Sequence, residues 1–179
     1  MIISAPAGLL PMVSMMGIVL TAGSSVCASP RRLVSQEADC VVRQVVDGDT
    51  FHCLNGPKVR LIGIDSPERQ QSPHYIKARR ALLRMAPPGT ELRLERDVTP
   101  TDRYGRLLAY AWIRNTLVNE AMVRGGWAVL YTVPPNVKYA ERLGRAQNEA
   151  RTHGAGLWSD RGFDCLPADF RRRKCLSPP

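Results

Sequence analysis

Two short segments of the sequence combine carboxylates with an arginine. Residues 46–51 read VDGDTF and contain Asp49, and residues 59–68 read VRLIGIDSPE and contain Asp65 and an arginine among apolar neighbours. Carboxylates are ligands for a hard cation such as calcium or magnesium, and a guanidinium binds the oxygens of a phosphate. Together these side chains indicate the hydrolysis of a phosphodiester.

The two aspartates are expected to share one ion. On its own, the Asp47-Gly48 pair is explained by a hairpin turn in which glycine adopts a positive φ. Asp65 changes this interpretation because it ends a neighbouring strand of the same predicted meander, which can bring Asp49 and Asp65 to one cation. Two carboxylates, a backbone carbonyl and waters form a set of oxygen ligands suited to calcium or magnesium, and not to zinc.

Three further side chains have alternative interpretations. Arg60 lies among apolar residues and needs a partner, so it forms either a salt bridge to Glu68 or Asp65, or a clamp on a phosphate. Glu68 near a metal could orient and deprotonate an attacking water. Arg106, in the segment TDRYGR at 101–106, is either a turn residue or a second arginine that stabilises charge on the leaving oxygen.

The charge of the chain favours a polyanionic partner. Its 179 residues suit one domain, and the formal net charge is +9. Residues 1–28 contain no Lys, Arg, Asp or Glu, so this charge is carried by the remainder of the chain. Positive charge alone does not identify a nucleic-acid-binding protein, so this prediction also needs the motifs.

The uncharged N-terminus and the cysteines both bear on the compartment. Residues 1–28 resemble a cleaved signal peptide that ends before Ser29; the alternative is a membrane anchor through residues 2–22. Removing residues 1–28 leaves four cysteines, an even number that indicates disulfides and allows three pairings, among which the sequence does not choose. These cysteines are Cys40, Cys53, Cys165 and Cys175.

Hydrophobic periodicity predicts an α+β domain. Alternating patterns and tight turns predict five strands, and helical periodicity predicts three helices. The strands are expected at 41–47, 49–54, 59–64, 91–97 and 107–113, and the helices at 75–86, 118–125 and 138–153. Short strands with helices packed on them favour a five-stranded β-barrel of the oligonucleotide-binding type. The expected organisation is a linker at 29–39, a domain at 40–160 and a basic tail at 161–179.

Over about residues 40–160 the chain resembles the staphylococcal nuclease (thermonuclease) family. The resemblance is carried by DGDTF, VRLIGIDSPE and TDRYGRLLAYAW, with VNEAMVRGGWA and LWSD following in order. It implies an oligonucleotide-binding barrel with three helices. It also implies a calcium-dependent endonuclease that cleaves DNA and RNA with little sequence specificity and leaves 3′-phosphate ends. A catalytically silent nucleic-acid-binding module of the same fold is the alternative.

The resemblance also implies roles for individual residues. Asp49 and Asp65, with the carbonyl of Ser66, would bind calcium. The catalytic residues would be Arg60, Glu68 and Arg106, with Glu68 as the general base. Nucleic acid would be contacted by Arg103, Tyr104 and Tyr131, although Tyr131 matches the family's pattern only with a shift. We expect DNA and RNA as substrates, no obligate protein partner, a monomer, and a mature form that is secreted or periplasmic without a membrane segment.

Overall fold

The computed structural model describes residues 37–54 and 56–175. The predicted signal peptide at 1–28, part of the predicted linker and Asn55 of the second predicted turn lie outside these ranges. The first strand begins at Glu37. The strands are β1 Glu37–Val45, β2 Thr50–Cys53, β3 Lys58–Leu61, β4 Gly63–Asp65, β5 Glu91–Glu95, β6 Leu107–Ile113, β7 Thr116–Leu117 and β8 Val129–Tyr131. The helices are α1 His74–Met85, α2 Val118–Arg124, α3 Ala140–Thr152 and α4 Pro167–Arg171.

Five strands form a closed barrel, as predicted. Their order is β3-β2-β1-β5-β6, and a parallel pairing of β3 with β6 closes the ring, with Val59 opposite Leu107. Alternate positions of these strands carry apolar side chains into the interior, where Phe51, Leu61 and Leu92 are at most 1% exposed. The architecture is therefore a five-stranded barrel of the oligonucleotide-binding type with packed helices.

The predicted single strand at 59–64 is two strands, and the expectation that Asp65 ends a strand of the meander is wrong. After β3 the chain bends at Gly63, whose φ is +78°. A Cβ there would lie 2.6 Å from Leu143 Cδ1, so both the backbone conformation and the space require glycine. Beyond the bend, β4 pairs antiparallel with β8, with Asp65 opposite Val129. The ladder between β4 and β8 thus positions Asp65.

The three predicted helices are present within two residues of their expected ends, and they pack around the barrel. Asn119 of α2 is fully buried; its Oδ1 accepts the N–H of Ala111 at 3.0 Å and its Nδ2 donates to the Ile62 carbonyl at 2.8 Å. Helices α2 and α3 are joined through Glu120, which accepts from Arg124 Nη2 at 2.7 Å and Arg142 Nε at 2.8 Å. This buried amide and this ion cluster fix the helices against β6 and the bend at Gly63.

The tail is more structured than the sequence predicts. A 3₁₀ turn, Gly156–Trp158, follows α3, and the short helix α4 follows in turn. Phe163 packs with Ala78, Val129 and Leu157 in a small apolar cluster beside the barrel. Two disulfides form: Cys40–Cys53 joins β1 to β2, and Cys165–Cys175 closes a loop around α4. Across the ranges that the structure describes, we find no helix of the length and apolarity needed to cross a bilayer.

Candidate active site

All predicted site residues line one cavity of about 860 Å³. It is built from the β1–β2 turn, β3, β4, the segment after β4, the segment before β6, β8 and α4. The predicted residues that line it are Asp49, Arg60, Asp65, Ser66, Glu68, Arg103, Tyr104, Arg106 and Tyr131. The cavity therefore brings together three clusters that are far apart in the sequence.

Asp49 and Asp65 meet at one guanidinium. Arg60 Nε lies 3.1 Å from Asp49 Oδ1, and Arg60 Nη2 lies 3.1 Å from Asp65 Oδ1. Arg60 Nη1 donates to the carbonyls of Leu61 and Ile64, the latter at 2.8 Å. The predicted salt bridge to Asp65 is present, and Asp49 is its second partner. A guanidinium satisfied by two carboxylates and two carbonyls can remain charged in a nearly buried position.

The backbone after β4 holds Asp49 in place. Asp49 Oδ2 accepts the N–H of Ser66 at 2.7 Å, and Oδ1 accepts the hydroxyl of Thr50 at 2.9 Å. Gly48 is required for this approach, because a Cβ there would lie 2.7 Å from the Ser66 side chain. The turn before β2 and the end of β4 are thereby packed directly on each other.

Like charge accumulates around these two carboxylates. Burial and the nearby Asp49 raise the pKa of Asp47 to about 7, and Asp47 Oδ1 accepts the N–H of Asp49 at 3.0 Å. Burial also raises the pKa of Asp65, and although Arg171 and Arg60 oppose this, the pKa stays above its ordinary value. A bound cation would relieve this crowding.

The donor set fits a hard divalent cation. Asp49 and Asp65 both lie 3.1 Å from the guanidinium of Arg60, so their oxygens can reach one ion, and carboxylate oxygens are the ligands that such a cation prefers. Within 37–54 and 56–175 no three His, Cys, Asp or Glu groups converge as metal ligands. A cation here would accordingly be coordinated by two carboxylates, a backbone carbonyl oxygen and water.

Glu68 lies at the cavity mouth and is held from two sides. Its N–H donates to Gln71 Oε1 at 2.9 Å, and Gln71 Nε2 donates to the Cys165 carbonyl at 2.9 Å. Its carboxylate does not pair with Arg60; Glu68 Oε1 accepts from Arg171 Nη1 at 2.5 Å. Glu68 is thus beside Asp65, with its side chain about one third exposed to water.

A second arginine faces the cavity from the turn before β6. Arg106 Nε donates to Asp102 Oδ2 at 2.6 Å, and Asp102 Oδ1 accepts the N–H groups of Tyr104 and Arg106. Burial alone would raise the pKa of Asp102, but these hydrogen bonds outweigh it and hold the pKa below its ordinary value. Asp102 therefore stays charged and orients Arg106. From the sequence alone, Arg106 could be either a turn residue or a site residue.

Two tyrosines offer ring faces near the arginines. The guanidinium carbons of Arg103 and Arg106 lie 4.8 and 5.5 Å from the ring centroid of Tyr104, which is 67% exposed. Tyr131 ends β8, and Arg171 lies 5.6 Å over its ring. An exposed ring flanked by cations can stack on a base and lie next to a phosphate.

Sequence reasoning missed Arg171. Its Nη1 and Nη2 donate to Asp65 Oδ1 and Oδ2 at 3.1 and 2.8 Å, and it also reaches Glu68. The run Arg171–Lys174 indicated only a basic tail. Two cysteines that flank this run were a signal that the segment is ordered, but nothing local indicates which surface it meets.

Known nucleases are similar to this chain in sequence. The family described as Staphylococcal nuclease homologue matches residues 58–160. The chain is 35% identical over 125 residues to the thermonuclease of Staphylococcus intermedius, covering 66% of this chain and 74% of that protein. The thermonuclease of Staphylococcus hyicus is also 35% identical, over 126 residues, with 66% of this chain and 75% of that protein covered. Endonuclease YncB of Bacillus subtilis (strain 168) is 31% identical over 152 residues, covering 79% of this chain and 70% of that protein.

The barrel, the shared cavity and these relatives lead to one assignment. A match over more than half of the chain identifies the family, and the relatives' names identify the type of reaction. The chain belongs to the staphylococcal nuclease family and is a hydrolytic nuclease that acts on nucleic acid.

Proposed function

We propose that the chain is a calcium-dependent endonuclease that cleaves DNA and RNA with little sequence specificity and leaves 3′-phosphate ends. Nucleases of this family need a metal ion, and calcium is the cation that we assign to this chain. The observation that carries the proposal is the meeting of Asp49 and Asp65 at one guanidinium inside a cavity that also contains Arg106 and Glu68.

We assign the cation to Asp49, Asp65 and the carbonyl oxygen of Ser66. Calcium accepts six to eight oxygen ligands in flexible geometry, so two carboxylates and one carbonyl leave positions for water and substrate. When bound, the cation would supply Lewis-acid stabilisation of charge on the phosphate. Arg60 contacts both proposed carboxylate ligands and so is next to any phosphate held there.

Arg60 and Arg106 are assigned to stabilise the charge that develops on phosphorus and on the leaving 5′ oxygen. Both are held by aspartates and carry a fixed charge that needs no proton transfer. Glu68 is assigned as the general base that takes a proton from the attacking water, and its partial exposure gives that water access. The bond to the 5′ oxygen breaks, which leaves the phosphate on the 3′ oxygen.

Substrate binding is assigned to Arg103, Tyr104 and Tyr131. The two tyrosine rings and the neighbouring guanidiniums offer stacking and phosphate contacts that read no particular base, in line with low sequence specificity. The net charge of +9 supports attraction to either kind of nucleic acid.

We also propose that the protein is exported as a monomer after cleavage at residue 28. Two disulfides support an oxidising compartment, because such bonds rarely persist in a reducing cytosol. Mass spectrometry of protein from its native host should find the mature chain starting near Ser29. An intact Met1 would contradict export by cleavage.

Digestion of plasmid DNA and of RNA tests the main proposal. Both should be cut with calcium and be intact with a chelator, and the new 3′ ends should accept label only after a 3′-phosphatase has acted. Glu68→Gln should lose most turnover, whereas the control Glu91→Gln, on an exposed position of β5, should not. Binding of nucleic acid without any cleavage would favour the silent module, and cleavage that survives chelation would refute calcium dependence.

A further inference from the structure

Arg171 of α4 occupies the acidic side of the proposed active site. Its two terminal nitrogens form a fork on Asp65, at 3.1 and 2.8 Å, and one of them also donates to Glu68 at 2.5 Å. The first carboxylate is a proposed cation ligand and the second is the proposed base. One guanidinium therefore neutralises two of the groups on which the proposed reaction depends.

The segment that carries Arg171 is closed by a disulfide and held beside the barrel by two contacts. The Cys165–Cys175 disulfide closes a loop, here called the C-terminal loop, that contains α4. The Cys165 carbonyl accepts from Gln71, whose amide oxygen accepts the Glu68 N–H. Just before the loop, Phe163 is 6% exposed in the cluster with Leu157. Because a closed loop has less freedom to lose, Arg171 is held in place at little entropic cost.

Arg171 and a cation require the same oxygens of Asp65. An ionised carboxylate offers about four lone-pair positions. Arg60 Nη2 and Arg171 Nη1 both donate to Oδ1, and Arg171 Nη2 donates to Oδ2. A divalent ion on Asp65 would therefore lose lone pairs to Arg171 and would also meet a fixed positive charge.

We infer that Arg171 is a built-in competitor of the cation: the C-terminal loop holds its guanidinium on Asp65 and Glu68, and it must leave Asp65 for the cation to bind. This inference rests on the proposed cation site. Release is possible because the Arg171 side chain is 39% exposed at the cavity mouth, whereas Asp65 is nearly buried. The loop thus sets the cation concentration at which the nuclease becomes active.

The test is a comparison of calcium affinity by calorimetry in Arg171→Gln and in the control Arg172→Gln. Both variants lose one positive charge from adjacent positions, and Arg172 is exposed. If only some of the molecules have an open site, the measured calcium affinity is the affinity of the open site multiplied by the open fraction. If Arg171 closes the site in nine molecules of ten, its removal should therefore raise the measured affinity about tenfold. The calcium affinity of Arg172→Gln should rise much less, and this difference separates the contact of Arg171 with Asp65 from the general effect of removing a positive charge.

Two further measurements do not depend on activity. The double variant Cys165→Ser, Cys175→Ser leaves every charge in place and opens the loop, and its calcium affinity should move towards that of Arg171→Gln. In the presence of a chelator, Arg171→Gln and Glu68→Gln combined should destabilise the protein by less than the sum of the single variants in urea unfolding, since the two share one contact.

The outcomes distinguish this inference from the proposed function. Tighter calcium binding in Arg171→Gln than in Arg172→Gln supports the competition. Equal or weaker binding in Arg171→Gln, with calcium-dependent cleavage retained by the wild type, overturns the competition and leaves the proposed function standing. If neither the wild type nor the variant binds calcium, both ideas fail.

Discussion

Replacing Asp49 with alanine should destabilise the cation-free protein as well as remove cation binding. Asp49 is 5% exposed, accepts hydrogen bonds from the Ser66 N–H at 2.7 Å and the Thr50 hydroxyl at 2.9 Å, and forms an ion pair with Arg60 at 3.1 Å. Alanine leaves the Ser66 N–H buried without an acceptor and takes one of two carboxylates from Arg60. Breaking a buried ion pair by removing one partner costs about 3–5 kcal/mol.

One effect acts in the opposite direction. The substitution relieves repulsion between Asp49 and its neighbours Asp47 and Asp65, whose pKa values are raised partly by Asp49. The attraction to Arg60 at 3.1 Å is lost at the same time, and the orphaned N–H remains. We therefore expect net destabilisation of about 3 kcal/mol.

Urea unfolding with a chelator present measures this loss. With a slope of about 1–3 kcal/mol per molar urea, the midpoint should fall by roughly 1–3 M. Asp49→Asn is the matched variant, because its amide oxygen can still accept from Ser66 while the charge is gone. Its urea midpoint should lie between those of Asp49→Ala and the wild type. A midpoint for Asp49→Ala equal to or above that of the wild type would refute the reasoning, and unchanged calcium affinity would remove Asp49 from the cation site.

Three further predictions concern other parts of the structure. Arg60→Lys keeps the charge but cannot span the same partners, so turnover should fall at least about a hundredfold; near-normal activity would leave Arg60 a structural ion pair. Burial would raise the pKa of Glu120, but Arg142 and Arg124 hold it below its ordinary value of 4.5, so Glu120→Gln should cost about 1–3 kcal/mol at neutral pH. This difference in the free energy of unfolding should disappear as the pH falls from 4.5 through the lowered pKa of Glu120 in the folded protein. A difference that persists at acid pH would show that the charge of Glu120 is not its cause. Gly126→Ala, at φ +71° with a Cβ 1.9 Å from the Ala155 carbonyl, should cost about 3 kcal/mol in thermal unfolding, and an unchanged midpoint would contradict the close packing.

Features that depend on local sequence were predictable. The alternation in 107–113 and the helical stripe in 75–86 correspond to β6 and to α1 with only small shifts at the ends. Asp49, Arg60 and Asp65 were identifiable because a charged residue beside an apolar strand needs a partner or a ligand. Their grouping around one cavity agrees with the expectation, while their roles remain predictions.

Features that depend on distant contacts were not predictable. The run VRLIGI has the pattern of one strand, and the bend at Gly63 depends on contacts with Leu143 of α3 and with the partner strand β8. The pairing of the cysteines and the position of Arg171 depend on how the C-terminal loop meets the barrel, through Phe163 and Gln71. Such contacts form between residues far apart in the chain and leave no periodic signal.

The closure of the barrel links catalysis to the order of folding. The parallel pairing of β3 with β6 joins residues far apart in the chain, and forming it requires the loss of much chain entropy before any contact is gained. Arg60 lies on β3 and Arg106 directly precedes β6, so the two arginines become neighbours only when this pairing forms. A chain that has formed its local hairpins and helices but has not closed the ring has no assembled cavity. We expect that a newly made, incompletely folded chain is harmless to the nucleic acid of the cell that makes it.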